Sequence, residues 1–544
     1  MRGRIVKYKN TVLVSTVVVL SFIVCITLKQ TETSLTIERS DLKFSEMIYQ
    51  HVDESKVQTL CAGPTSKSAD KKESFKQKTS WRRDFEELYN EISTMRTLAE
   101  IKYYMGDQTM NYFEEYNYCE SLLLEMEDSY NAMYSEDYSE EESAENSSLY
   151  MEQLRLRGAY RDLENTVAVD EGYTLEDIGK MSEAEREKYY SEWDEAYKEE
   201  AGKVLIALAK NQNAMATAYG YDSTAQMLYE QYGRDFTPEE AKAFYGYVKE
   251  YVTPVLRQLL IEQSNTYIPN QIFTYDEESV LNGFEKQLTH LSPRFNEAFD
   301  YMRQYELYNI YYDEAYEKND EAYTWYIDAY HEPFIYISGQ DSSIIADSLV
   351  HEFGHFFANF ESSDPYYSVD IDETFSQGME ALLLPRMGEM MKSEEIGALL
   401  QIDVLTGMLS AVAEGCLYDE FLEELFEDPE ITVAEMDEKF NKLVDAYGLT
   451  GCGYTWETVQ HNYDTPMYYM SYSISAIPAL ELWENVQDNE KEAVNKYLSI
   501  IEKAEDMDFR ENIETAGFGD PFDKETLIEI LNRICKEYGF EEVA

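Results

Sequence analysis

The 544-residue sequence predicts a mainly α-helical protein, and three observations carry that reading. Only 12 Pro and 24 Gly are present, too few for the many turns that β-sandwiches and propellers need. Ser/Thr-x-x-Glu capping signatures at Ser182 with Glu185, Thr237 with Glu240 and Thr432 with Glu435 each mark a helix start. Behind Thr237 and Pro238, the apolar residues Ala241, Phe244, Val248, Tyr251, Val252 and Val255 recur at helical spacing, with Pro254 expected to kink or end the helix. Apolar residues make up 44% of the chain, enough to fill a large core, which excludes a disordered or collagen-like protein.

From the N-terminus, Arg2, Arg4, Lys7 and Lys9 precede an uncharged run at 11–28. That pattern reads as a cytoplasmic basic segment (1–10) and a signal-anchor or transmembrane helix (11–28). Ile26, Thr27 and Leu28 offer no small-residue cleavage site, so the chain beyond Leu28 is expected outside the cytoplasmic membrane, anchored to it, or secreted if the segment is removed. Residues 29–78 are polar and include Lys67, Lys71, Lys72, Lys76 and Lys78, which reads as a tether. Helical patterning begins near Trp81, and the acidic, Ser-rich stretch 136–148 reads as a solvated loop between helices. One β-prone run, Phe334 to Ser338, ends at Gly339. The six cysteines are few and scattered, so one disulfide or none is expected. A formal charge of −62 repels phosphates and excludes nucleic acid as a partner.

His351, Glu352, Phe353, Gly354 and His355 spell HExxH inside a Pro-free stretch, 342–360, that reads as one helix. Positions i and i+4 share a helix face, so both imidazoles can bind one Zn²⁺, with Glu352 placed to act as general base. With only 6 His in the chain, accidental matches are expected on the order of 0.01 times. A catalytic zinc needs a third protein ligand. Ala358 and Glu361 occupy the Gly and His positions of the metzincin continuation, which therefore fails. The remaining choice is a carboxylate, and Asp370, Asp372, Glu373 and Glu380 all stand close by in sequence.

The HExxH run followed by Glu373, Thr374, Phe375, Ser376 and Gln377 resembles the M3 family of zinc oligopeptidases, the thimet oligopeptidase and oligoendopeptidase F group. The resemblance implies that His351, His355 and Glu373 are the ligands of one Zn²⁺ and that Glu352 is the base. Glu380, seven residues past Glu373, is either a partner of a ligand imidazole or a plain surface residue. The segment from His461 through Pro466 to Tyr472 looks like the family's C-terminal block, in which His461, Tyr469 and Tyr472 would donate to an oxyanion, with Tyr468 an open neighbour. Upstream, Leu208 to Asn213, Ala218 to Tyr221 and Arg234 to Thr237 are similar to a helical region of the family, so the likeness is best over 200–480.

The fold so implied is a two-lobed helical zinc peptidase with a small β-sheet beside the HExxH helix and a deep central channel. The N-terminal helical lobe would span 79–235 and the catalytic lobe 236–544. The activity implied is that of a metalloendopeptidase cutting short unstructured peptides, with no obligate protein partner. Ile337 and Gly339 are expected at a sheet edge that pairs with the peptide. The other class of reading is a non-catalytic, membrane-tethered peptide-binding protein that keeps the fold; intact His351, Glu352, His355 and Glu373 argue against it.

Overall fold

The computed structural model describes residues 42–61, 71–134, 140–167, 180–266, 276–312, 321–340, 342–362 and 367–544. The expected anchor at 11–28 lies outside them. Helices dominate. In the N-terminal part, α1 (Lys71–Tyr104) packs along α2 (Tyr112–Tyr134), and α3 (Glu140–Arg161) along α4 (Glu183–Tyr219). All three capping boxes form. At the start of α4, for example, the Ser182 hydroxyl accepts from the Glu185 N–H while the Glu185 carboxylate accepts from the Ser182 N–H at 2.8 Å.

Pro254 neither ends nor sharply breaks its helix. A single π-helical turn at Val248–Val252 joins Pro238–Tyr247 to Thr253–Thr266, and the Thr253 N–H reaches the Val248 carbonyl. The wider turn accommodates a ring that cannot donate a hydrogen bond.

Three strands form the sheet: β1 (Tyr308–Tyr312), β2 (Glu321–Ile327) and β3 (Glu332–Gly339), in the order β1-β3-β2. The β3 strand is central, parallel to β1 and antiparallel to β2, and it is buried throughout. This corrects the expectation that Ile337 and Gly339 lie at an edge open to a peptide. Ile337 pairs with Ile310 on one side and Ala322 on the other, and Gly339 pairs with Tyr312. A β-prone run announces a strand but not how many neighbours it has. Gly339 is small for a different reason: a Cβ there would lie 2.7 Å from the Ile345 side chain, at the start of the helix that carries HExxH.

That helix, α5 (Ser342–Glu361), covers one face of the sheet, and α1 covers the other, with Tyr104 packing on Tyr323, Trp325 and Tyr336. Beyond it run α6 (Asp372–Leu383), α7 (Glu394–Glu427) and α8 (Met470–Lys503), with α8 packed against both α6 and α7. Among the described residues, α7 alone is long and apolar enough to cross a membrane, but Leu405, Leu409, Val412, Cys416 and Leu417 are buried within the fold, as in a core helix.

Two further expectations are overturned. Of the stretch 136–148 expected as a loop, Glu140 to Ser148 is helical, as the first part of α3, and 136–139 lie outside the described residues. The tether also stops early. Phe44, Met47, Tyr49, Val52 and Val57 are buried, the Phe44 ring packs on Phe334 at 4.2 Å, and the Phe44 N–H donates to the Tyr305 carbonyl at 2.9 Å. A few apolar residues in a mostly polar stretch suffice to dock it. Cys61, Cys119, Cys416, Cys452 and Cys535 are all free thiols.

Candidate active site

His351 and His355 project from one face of α5, their ring centroids 5.3 Å apart. Glu373, on the first turn of α6, faces both: its Oε2 is 3.5 Å from the His351 Nε2 and 3.7 Å from the His355 Nε2. Donors at zinc bond lengths in a tetrahedron stand about 3.4 Å apart, so this set fits one Zn²⁺ closely. The approach is backbone-limited. A Cβ on Gly354 would lie 2.4 Å from the Phe375 carbonyl oxygen and 2.5 Å from the Ser376 Cα, so only glycine lets α5 and α6 meet here.

The four candidate carboxylates separate cleanly. Glu373 completes the donor triangle, and the Ser376 hydroxyl donates to its Oε2 at 3.0 Å, which gives the E-x-x-S spacing a physical purpose. Glu380 holds the His351 Nδ1 at 2.6 Å, so it is a partner of the His351 ring rather than a surface residue. Asp372 stands 3.4 Å from the His355 Nδ1. Both outer ring nitrogens thus face carboxylates, which leaves each Nε2 turned toward Glu373. Asp370 is fully buried elsewhere, paired with Arg234 at 3.3 Å and accepting from the Ser471 hydroxyl at 2.7 Å. The Arg234 guanidinium also donates to the Met467 carbonyl at 2.9 Å. Met467 has a left-handed φ of 66°, so this contact braces the strained turn that precedes the tyrosine block.

Glu352 points to the sheet side, where the Thr324 hydroxyl of β2 donates to its Oε2 at 2.7 Å. Burial raises the Glu352 pKa, opposed by the neighbouring imidazoles and by Thr324. Burial would push the His355 imidazole down, but Asp372 and Glu373 carry it up to about 10. Burial would likewise raise Glu373, but hydrogen bonds from both imidazoles hold it well below the ordinary carboxylate range. The pocket is therefore one of concentrated opposite charge.

In the C-terminal block, His461, Tyr468, Tyr469 and Tyr472 form one ring cluster. His461 lies 5.2 Å from Tyr468, 5.1 Å from Tyr469 and 6.1 Å from Tyr472. Burial lowers the His461 pKa to about 4, so the ring is neutral at ordinary pH. After burial, the charge of Glu373 is among the causes that raise Tyr468 and Tyr472, whereas the charge acting on Tyr469 is that of Glu414. The Tyr469 ring packs 4.7 Å from Tyr418 of α7 and 5.2 Å from Tyr472. Thr324 and Arg234 had no assigned place in the site from sequence, and Asp372 stood there only as a candidate third ligand, not as a partner of His355. Asp372 had a signal, one residue before the ligand; Thr324 had none.

No protein-family model matches the chain, and no curated protein does. Solved structures match its fold. One described as an oligoendopeptidase F superposes with a TM-score of 0.67 at 21% identity, covering 92% of this chain and 99% of that one. PZ peptidase A, solved with an inhibitor, gives 0.65 at 21% identity, covering 91% and 99%. A Bacillus anthracis protein described as an oligoendopeptidase F gives 0.65 at 20% identity, covering 92% and 98%. The chain has the mainly helical, two-lobed fold of these structures, as the motifs implied.

Proposed function

We propose that the protein is a zinc-dependent metalloendopeptidase that hydrolyses short unstructured peptides. The observation that carries this reading is the triangle of His351, His355 and Glu373 with Glu352 buried beside it. His351, His355 and Glu373 would hold the zinc ion, which when bound would supply Lewis-acid polarisation of the scissile carbonyl and of the attacking water. Glu352, kept in place by Thr324, takes the proton from that water and passes it to the leaving nitrogen. Glu380 and Asp372 fix the two imidazoles through Nδ1. Tyr472 and Tyr468 are the phenols suited to donate to the developing oxyanion, with neutral His461 beside them.

The peptide would add to β2 rather than β3. Among the described residues β2 is an edge strand, and its Thr324 reaches the general base. The uncharged run 11–28 behind four basic residues supports an extracytoplasmic, membrane-anchored location.

The test is to measure zinc by elemental analysis and to incubate the protein with a mixed peptide library, identifying product masses. One zinc per chain and internal cleavage that chelators stop are expected. Stoichiometric zinc with no cleavage of any peptide would leave the non-catalytic binding protein as the better reading.

A further inference from the structure

His461 rides on a short helical turn, His461–Asp464, that packs on the N-terminal helices α3 and α4. The last two residues of α3 grip it. The Tyr160 ring stacks on Tyr463 with centroids 3.5 Å apart and planes 8° from parallel, and its hydroxyl donates to the Glu457 carbonyl at 3.2 Å. Next to it, the Arg161 guanidinium donates to the Asp464 Oδ1 at 3.2 Å. The Asp464 side chain is fully buried, and among the described residues Arg161 is its one ion-pair partner. From within the same segment the Gln460 amide donates to the other oxygen, Oδ2, at 2.8 Å.

The segment just before the turn meets α4. A Cβ on Gly202 would lie 2.9 Å from the Trp456 ring, and the Trp456 carbonyl accepts from the Asn462 amide at 3.0 Å. A helical turn this short makes too few hydrogen bonds of its own to fix its orientation. The place of the His461 ring, 5.2 Å from Tyr468, is therefore set by side chains that stand 297 and 303 positions before their partners in the chain. Without the guanidinium, a buried carboxylate is left uncompensated, and the turn must shift to rehydrate it.

We propose that Arg161 is a positioning residue for peptide hydrolysis, acting through Asp464 to hold His461 beside Tyr468 and Tyr472. The proposal rests on the peptidase activity proposed above and extends the machinery it needs to the N-terminal helices.

The test is a double-mutant cycle of Arg161→Gln and His461→Gln in the full chain. It is read in steady-state cleavage of one peptide and in the NMR signals of isotope-labelled histidine. Arg161→Gln alone should lower kcat roughly tenfold with little change in KM and with zinc content unchanged, and Arg161→Lys, which keeps the charge, should recover part of the loss. In the His461→Gln background the same change should cost nothing further in kcat, because its route of action is already gone. The His461 signal, displaced by the three tyrosine rings around it, should shift in Arg161→Gln while those of His351 and His355 stay. Should Arg161→Gln fail to fold, Asp464→Asn, which removes the buried charge together with the ion pair, is carried through the same cycle with the same expected results. Full additivity in the cycle, or an unmoved His461 signal, would overturn the proposal. A shifted His461 signal in a protein that cuts no peptide would uphold the positioning of His461 and sink the peptidase activity alone.

Discussion

The Thr324 hydroxyl donates to the Oε2 of Glu352 at 2.7 Å, and to the Glu352 carbonyl at 3.0 Å, tying the edge strand to the proposed general base. One side chain on β2 thus both orients the Glu352 carboxylate and favours its ionised form. Thr324→Val keeps the shape and removes the donor. kcat/KM should fall roughly fivefold, and the acid limb of its pH profile should move to higher pH, because the interaction that lowers the Glu352 pKa is gone. An unmoved limb would mean that Thr324 only packs.

Base and ligands should separate in their effects. Glu352→Gln should abolish turnover with zinc content unchanged, whereas Glu373→Gln should lose zinc. Glu380→Ala and Asp372→Ala should each weaken zinc binding by about 10–100-fold, since each frees the outer nitrogen of a ligand ring. Competition with a chelating dye measures all four.

Among the tyrosines, Tyr472→Phe and Tyr468→Phe should lower kcat by roughly 10²-fold with little change in KM. Tyr469→Phe should have a much smaller effect on kcat, because its ring packs at 4.7 Å on Tyr418 of α7. Steady-state kinetics of the three variants on one peptide would reverse this ranking if Tyr469 were the oxyanion donor.

His461 should make the fold acid-sensitive. Its folded pKa of about 4 is below the unfolded value near 6.5, so the unfolded chain takes up the proton first as pH drops. Stability attributable to the neutral ring is complete above pH ~6.5 and is lost as pH falls toward 4, by about 3 kcal/mol. Urea denaturation at pH 7 and pH 4.5 should show a smaller acid loss in His461→Gln than in the unmodified protein; equal losses would contradict the burial of a neutral imidazole.

A fragment that starts near Ser80 omits Phe44, Met47, Tyr49, Val52 and Val57, all buried. Losing these contacts and uncovering Phe334 should cost ~3 kcal/mol or more. A fragment beginning at residue 42 should therefore melt measurably higher than one beginning at residue 80, by differential scanning fluorimetry.

What the sequence disclosed follows from the range of the interactions involved. HExxH was legible because a rare residue recurs at one helical turn, and the helix boundaries because capping boxes are local. Glu373 needed the resemblance, since three other carboxylates lie close by. The roles of Asp370, Asp372 and Thr324 depend on partners 17 to 136 positions away, such as Asp372 on His355, Thr324 on Glu352 and Arg234 on Asp370, and no local pattern encodes such meetings. The central place of β3 was hidden for a similar reason. Its neighbours β1 and β2 are tyrosine-rich segments that lack a clear inside-outside alternation, with most residues in both half-buried.

Because no side chain separates Gly354 from Ser376, the distance between the two imidazoles and the third ligand is gauged by main chain against main chain. Such a gauge has no soft part that could compress or stretch. Were the proposed Zn²⁺ bound, its three candidate ligands could be tuned from behind, through Glu380, Asp372 and Ser376, but the aperture they frame would have one width, and an ion of another radius would have to distort its own coordination sphere to fit.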